Sequence, residues 1–279
     1  MLINQIRTAI LLATVLGAST VHGMAEARAS SHHLTVALIS GKSSSAGRDF
    51  PVAVHFKMEP GWHLYWINPG DSGEPPRVEW ELPAGFTAAP ITWPTPRRIA
   101  ASQFVDYGYE DELVLLTRIH APAGVRDDDR VAANVRWAVC REVCITDRAR
   151  LTVNLSNVQD KENAGAEDLF KRTRQELPKP MPRSWKVSAL STTSTFELWL
   201  RGDSVRIPNF LGLQPVFFPL EKQQIENAAS QRVTRKGNVV HVVLKKSEQL
   251  VKPVATLKGV VSFGPRQSFL VEAPVMERR

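Results

Sequence analysis

The chain has 279 residues, 43% of them hydrophobic and 23% charged, a globular composition that disfavours disorder, collagen and coiled coil. Lys and Arg number 35 against 28 Asp and Glu, and the resulting charge of +7 is spread too thinly to point to nucleic acid. Two cysteines exclude a multi-disulfide scaffold and a four-cysteine zinc site, and no apolar run reaches the ~18 residues of a membrane span.

The first 29 residues read as a secretory signal peptide. One positive charge in Met1–Arg7 precedes an apolar run, Ala9–Ala18, and then the small-residue patterns Ala25-Glu26-Ala27 and Ala27-Arg28-Ala29. Export leads to an oxidising compartment in which a disulfide persists, and the expected one is a bacterial periplasm.

Residues 31–157 form the first expected domain. Segments 33–39, 51–57, 113–119, 131–137 and 149–155 are rich in β-branched residues or alternate in polarity, and turns of Gly, Pro, Asp and Asn separate them. Many short strands so punctuated suggest a β-sandwich. Residues 158–184 read as a linker, with a short helix over 166–177 that Pro178, Pro180 and Pro182 end and stiffen. Residues 185–279 form a second expected sandwich, with strands at 185–190, 196–200, 239–244 and 257–263. The fold class is therefore all-β, two sandwich domains joined by a short helical, Pro-rich linker.

Aromatic residues concentrate in the first unit, with Trp62, Trp66, Trp80, Trp93 and Trp137 beside Tyr65, Tyr107 and Tyr109. Eight prolines lie between Pro60 and Pro96. The rings either wall a rigid surface or fill the sandwich core. Two apparent motifs dissolve on inspection. Gly41-Lys42-Ser43 lacks the glycine that a phosphate loop needs, since that position is Val36. Gly70-Asp71-Ser72-Gly73 continues into Glu74 and reads as a polar turn, so Ser72 is no nucleophile.

The informative segment is Trp137-Ala-Val-Cys140-Arg-Glu-Val-Cys144. A strand, a tight turn at 141–143 and a returning strand would bring the two Cα atoms within the usual bridging range of ~4.4–6.8 Å. So short a loop constrains the unfolded chain by only about 2 kcal/mol, against about 4.7 for a 100-residue loop. That makes a purely bracing role a poor use of the pair, and strained or exposed bridges are the labile ones. Reactive, structural and metal-binding roles all stay open on local chemistry. Two thiolates suit Cu(I), with His63 or His120 as further ligands. Cleavage after Ala29 would also leave Ser30-Ser31-His32 as a copper-binding amino terminus.

At these residues the first unit resembles the N-terminal periplasmic domain of the DsbD thiol:disulfide interchange proteins, most closely the ScsB branch linked to suppression of copper sensitivity. The resemblance rests on Gly61-Trp-His-Leu-Tyr-Trp-Ile-Asn-Pro-Gly-Asp-Ser-Gly-Glu-Pro-Pro76, Val78-Glu-Trp-Glu-Leu-Pro83, Trp93-Pro94, Tyr107-Gly-Tyr-Glu110 and the cysteine segment. Pro215–Pro219 and Leu257–Val260 extend it more weakly into the second unit. It implies immunoglobulin-like sandwiches and a redox pair, Cys140 and Cys144, with Cys144 as the site of the mixed disulfide. It also implies an aromatic cap loop, for which Tyr107 and Tyr109 are the candidates. The implied partners are periplasmic thioredoxin-fold oxidoreductases. Family members continue into membrane and thioredoxin-like domains that these 279 residues do not contain, so the expected electron donor is a separately encoded membrane protein. No cofactor and no metal is assigned. The competing expectation is a non-enzymatic binding module with a structural disulfide.

Overall fold

The structure, a computed structural model, describes residues 26–41, 49–101, 104–122, 129–154, 164–202, 214–264 and 266–277. The expected targeting segment lies outside the described residues up to position 25, and so do residues 155–157 of the first expected domain and 158–163 of the expected linker.

The first unit contains β1 (Glu26–Ser31), β2 (Leu34–Ser40), β3 (Asp49–Met58), β4 (His63–Gly70), β5 (Arg77–Glu81) and β6 (Thr87–Ala88). It continues through β7 (Arg97–Ala101), β8 (Phe104–Glu110), β9 (Glu112–His120), β10 (Arg130–Cys140) and β11 (Cys144–Asn154). One sheet has the order β1-β2-β3-β9-β6, and the other β11-β10-β4-β8-β7 with β5 also paired to β10. The two sheets enclose a core that includes Phe50, Val52, Val54 and Phe56 from β3, Leu113 and Leu115 from β9, and Val131, Ala133, Val135 and Trp137 from β10. These residues recur every second position because successive strand side chains point to opposite faces.

Helix α1 (Ala164–Glu176) follows. Its Ala166, Leu169 and Phe170 cover the outer face of the first sheet at Ala37, Ile39, Ala53, Val114 and Leu116. This second cover explains why β2 and β3 read as nearly continuous apolar runs rather than strict alternation. Gly41 lies under the same helix, where an added Cβ would come within 2.6 Å of the Phe170 ring. Arg172 fastens the helix to Glu112 of β9 at 2.8 Å.

The second unit comprises β12 (Lys179–Pro180), β13 (Lys186–Ser191), β14 (Thr195–Arg201), β15 (Val216–Pro219), β16 (Arg232–Lys236), β17 (Val239–Lys245), β18 (Thr256–Ser262) and β19 (Ser268–Glu277). A single curled sheet, β15-β18-β19-β13-β14-β17-β16, with β12 added along β19, closes over its own apolar core. The architecture is all-β with two immunoglobulin-like units, as expected.

The sequence reading missed β4 and β8 altogether, because their aromatic, Gly- and Pro-containing segments do not alternate. Both run through the core, and Trp62, Trp66, Tyr65, Tyr107 and Tyr109 are all buried. Filling the core, not walling a surface, is what these rings do. Phe218 of β15 joins the same cluster, edge-on to Trp66 at 6.3 Å and to Tyr107 at 5.2 Å. Truncating a buried ring costs both its transfer free energy and a cavity. Phe218→Ala should therefore lower the unfolding free energy by about 3–5 kcal/mol, read as a drop in the urea midpoint. An unchanged midpoint would mean that this contact between the units carries no stability.

Candidate functional site

Strands β10 and β11 pair without a break from Arg130↔Asn154 to Cys140↔Cys144. Arg141–Val143 make the turn, closed by the Arg141 N–H donating to the Val143 carbonyl at 3.1 Å. The last rung of this ladder is a disulfide, with the Cα atoms 4.1 Å apart, slightly closer than the expected range. The two sulfur-bearing residues differ sharply in access. Cys140 is 2% exposed, whereas Cys144 is exposed.

On its other side Cys140 pairs with His63 of β4. His63 is buried, and its Nε2 has no hydrogen-bond partner among the described residues. Burial lowers the pKa of His63, and the Asp106 and Glu110 carboxylates partly oppose that shift. Two residues along the same strand face, Tyr65 meets the His63 ring edge-on at 5.1 Å. The Tyr65 hydroxyl lies 3.6 Å from Cys144 Sγ. Burial raises the Tyr65 pKa, against an interaction with the Ser72 side chain that lowers it. The phenol therefore keeps its proton at neutral pH and is the donor to a disulfide sulfur, which has none.

The turn after β4 holds Tyr65 in place. Gly73 has φ +70°, and a Cβ on it would sit 2.1 Å from the Tyr65 ring, so only glycine fits. Ser72 donates its N–H and its hydroxyl to the buried Asp106 carboxylate, each at 2.9 Å. Beyond Cys144 a groove of about 630 Å³ runs past Trp137, Arg77, Arg136, Asp147 and Arg148. On the turn side, Arg141 stands 5.7 Å from the centre of the Trp62 ring, which His33 stacks at 4.1 Å.

The structure brings together Cys140 and Cys144 but places Tyr107 and Tyr109 elsewhere. Both are buried in β8. The Tyr107 hydroxyl donates to Asn227 Oδ1 at 2.8 Å, and that of Tyr109 donates to the Pro94 carbonyl at 2.7 Å. Burial pushes both phenols well above their ordinary range. The ring against the exposed sulfur is Tyr65 instead. Its place beside His63 in the Gly61–Pro76 segment was visible in the sequence, but the rung that joins β4 to Cys140 was not.

Residues 36–156 match the profile of the family "Thiol:disulfide interchange protein DsbD, N-terminal". Among solved structures, the N-terminal periplasmic domain of ScsB from Proteus mirabilis is similar at a TM-score of 0.69. That match has 19% sequence identity and covers 91% of this chain and 99% of that one. It shows the shared fold over both units. The GAE domain of GGA2p from Saccharomyces cerevisiae gives a TM-score of 0.28 at 14% identity, covering 46% of this chain and 97% of its own. A search among curated protein sequences finds no match.

The lowered pKa of His63 carries a stability consequence. Between its folded value and the ordinary one of about 6.5, the unfolded chain binds more protons than the folded one. Stability therefore rises with pH through that window and is lost as pH falls. Acidification from about pH 7 to about pH 5 should reduce the unfolding free energy, and His63→Gln should lessen that reduction. Equal pH slopes for the two proteins in urea titrations would refute the assignment.

Proposed function

We propose that the chain is a periplasmic thiol:disulfide interchange protein in which Cys140 and Cys144 alternate between disulfide and dithiol. The observation that carries this reading is the difference in exposure between Cys140 and Cys144, within residues that match this family. A partner thiolate attacks Cys144 Sγ in line with the S–S bond. That bond breaks, Cys140 leaves as the thiolate, and a mixed disulfide joins the partner to Cys144. A second partner thiolate then attacks the partner's own sulfur in the mixed disulfide and releases Cys144. The partner is left oxidised by two electrons, and this chain holds the dithiol. The reverse sequence, from a Cys144 thiolate attacking a partner disulfide, reduces the partner.

The donor of electrons in this scheme is a membrane-embedded dithiol, and the acceptors are thioredoxin-fold oxidoreductases of the periplasm. No helix among the described residues is long and apolar enough to cross a membrane. The energetics favour exchange over bracing. A five-residue ring adds only about 2 kcal/mol of chain constraint, and the surrounding sandwich has a large apolar core of its own.

Export fits this reading, with one adjustment to the processing site. Residues 26–29 pair in register with Ala29↔Val36 through Glu26↔Ile39, so they belong to β1 rather than to the end of a leader. Cleavage after Ala29 would remove four of the six β1 rungs. The mature amino terminus is therefore expected at or before Glu26, and N-terminal sequencing of the exported protein checks it. A terminus at Ser30 would contradict this and would reopen the copper-binding terminus.

The decisive experiment is equilibration of the purified protein in a dithiothreitol series with alkylation of free thiols. A reduction potential above about −300 mV is expected, since structural bonds lie below that value. Cys140→Ala should accumulate a mixed disulfide with a thioredoxin-fold partner through Cys144, and Cys144→Ala should not. A bond that resists strongly reducing conditions would instead make the chain a binding module braced by its disulfide.

A further inference from the structure

Between the two units lies a polar cluster that the exchange chemistry does not use. Asn227 of the second unit, 8% exposed, spans it. Its Nδ2 donates to Asp71 Oδ1 at 2.7 Å, its Oδ1 accepts from the Tyr107 hydroxyl, and its carbonyl accepts from Arg98 Nη2 at 2.6 Å. Asp71 is thereby fixed at both ends. Its Oδ2 accepts the Val105 N–H at 2.7 Å, and its own N–H donates to the Val105 carbonyl at 3.2 Å. A second tie lies three residues earlier. The buried Asn68 donates from Nδ2 to the carbonyls of Pro219 at 2.8 Å and Glu221 at 3.2 Å, while its Oδ1 accepts the Gly70 N–H at 3.1 Å.

These bonds hold the same turn that supports the redox pair. Asp71 is followed by Ser72, bound to Asp106, and by Gly73, pressed on the Tyr65 ring whose hydroxyl meets Cys144 Sγ. A short turn pinned at Asn68 and Asp71 has little freedom to retreat from Tyr65. Gly70, with φ +87°, is packed on Val105 and Asp106, and this leaves the turn one close-fitting path.

We propose that Asn227 is a positioning residue for the disulfide: the second unit, through Asn227 and Asp71, holds the Asn68–Gly73 turn and Tyr65 against Cys144 and so sets how readily that sulfur is attacked. This rests on the reading of Cys144 as the exchanging sulfur. It gives the second unit a task in the chemistry although it contributes no atom to the reaction.

The test uses the full chain with its disulfide formed. It reads the second-order rate constant for reduction by dithiothreitol, with thermal unfolding followed in parallel. Asn227→Asp keeps the side-chain shape but sets a carboxylate against that of Asp71. The rate constant should rise by about three- to thirtyfold as the turn and Tyr65 move off Cys144. Adding Asp71→Asn exchanges donor and acceptor across the contact, keeps an acceptor for Val105, and should return the rate to within about twofold of the unsubstituted protein. An unchanged rate for Asn227→Asp overturns the proposal. So does a raised rate that the second substitution fails to restore, because general loosening of the fold would behave that way. Asn227→Ala, which buries no added charge, replaces any variant that fails to fold: a raised rate supports the proposal and an unchanged one overturns it. Failure of the exchange reading shows separately, as a potential too low for exchange or no mixed disulfide with a thioredoxin-fold partner, and leaves this rate comparison intact.

Discussion

The register of one hairpin governs this site. Eleven consecutive cross-strand pairs join β10 to β11, and the last of them is Cys140↔Cys144. A strand has a side-chain period of two, so a slip of one residue would turn each β10 side chain to the opposite face and separate the sulfurs. What prevents the slip is the inward set Val131, Ala133, Val135 and Trp137, which must stay in the core. Core packing some distance from the cysteines therefore decides that a disulfide forms at the hairpin tip, and that Cys140 is its buried end.

The same packing explains the chemistry around the tip. β4 meets β10 at the single rung Cys140↔His63, and alternation along β4 places Tyr65 on the same face two residues on. One buried imidazole and one buried phenol thus lie beside a bond with one exposed end. Burial keeps both rings neutral near pH 7, the histidine by lowering its pKa and the tyrosine by raising it. A disulfide in such surroundings has no nearby fixed charge from these two rings, and its accessible sulfur is met by a hydrogen-bond donor. Polar groups buried elsewhere in the junction are satisfied across it. Asn68, Tyr107 and Asn227 each find partners on the other unit, as buried polar groups must.

The junction also changes the meaning of the linker. Pro178, Pro180 and Pro182 suggested a stiff spacer between independent units. Instead α1 packs on the outer face of the first sheet, β12 adds to β19 of the second, and Phe218 inserts beside Trp66 and Tyr107. Apolar surface on each unit is buried by the other. A helix read as part of a linker thus serves as a layer of the first unit's structure.

The sequence by itself determined the all-β class, nine of the strands and the helix, because β-branched alternation and the 3.6-residue period are local properties. It also singled out Cys140 and Cys144, which fall within an ordered set of motifs and which the structure joins in a disulfide. Only the tertiary structure decided which residues surround that pair. Tyr65 displaced Tyr107 and Tyr109 as the ring at the sulfur because β4 pairs with β10 across 77 positions of sequence, between His63 and Cys140. Asn227 reached the supporting turn from more than 150 positions away. Such neighbours follow from strand order and from the packing of one unit on the other, and no local pattern of residues encodes either.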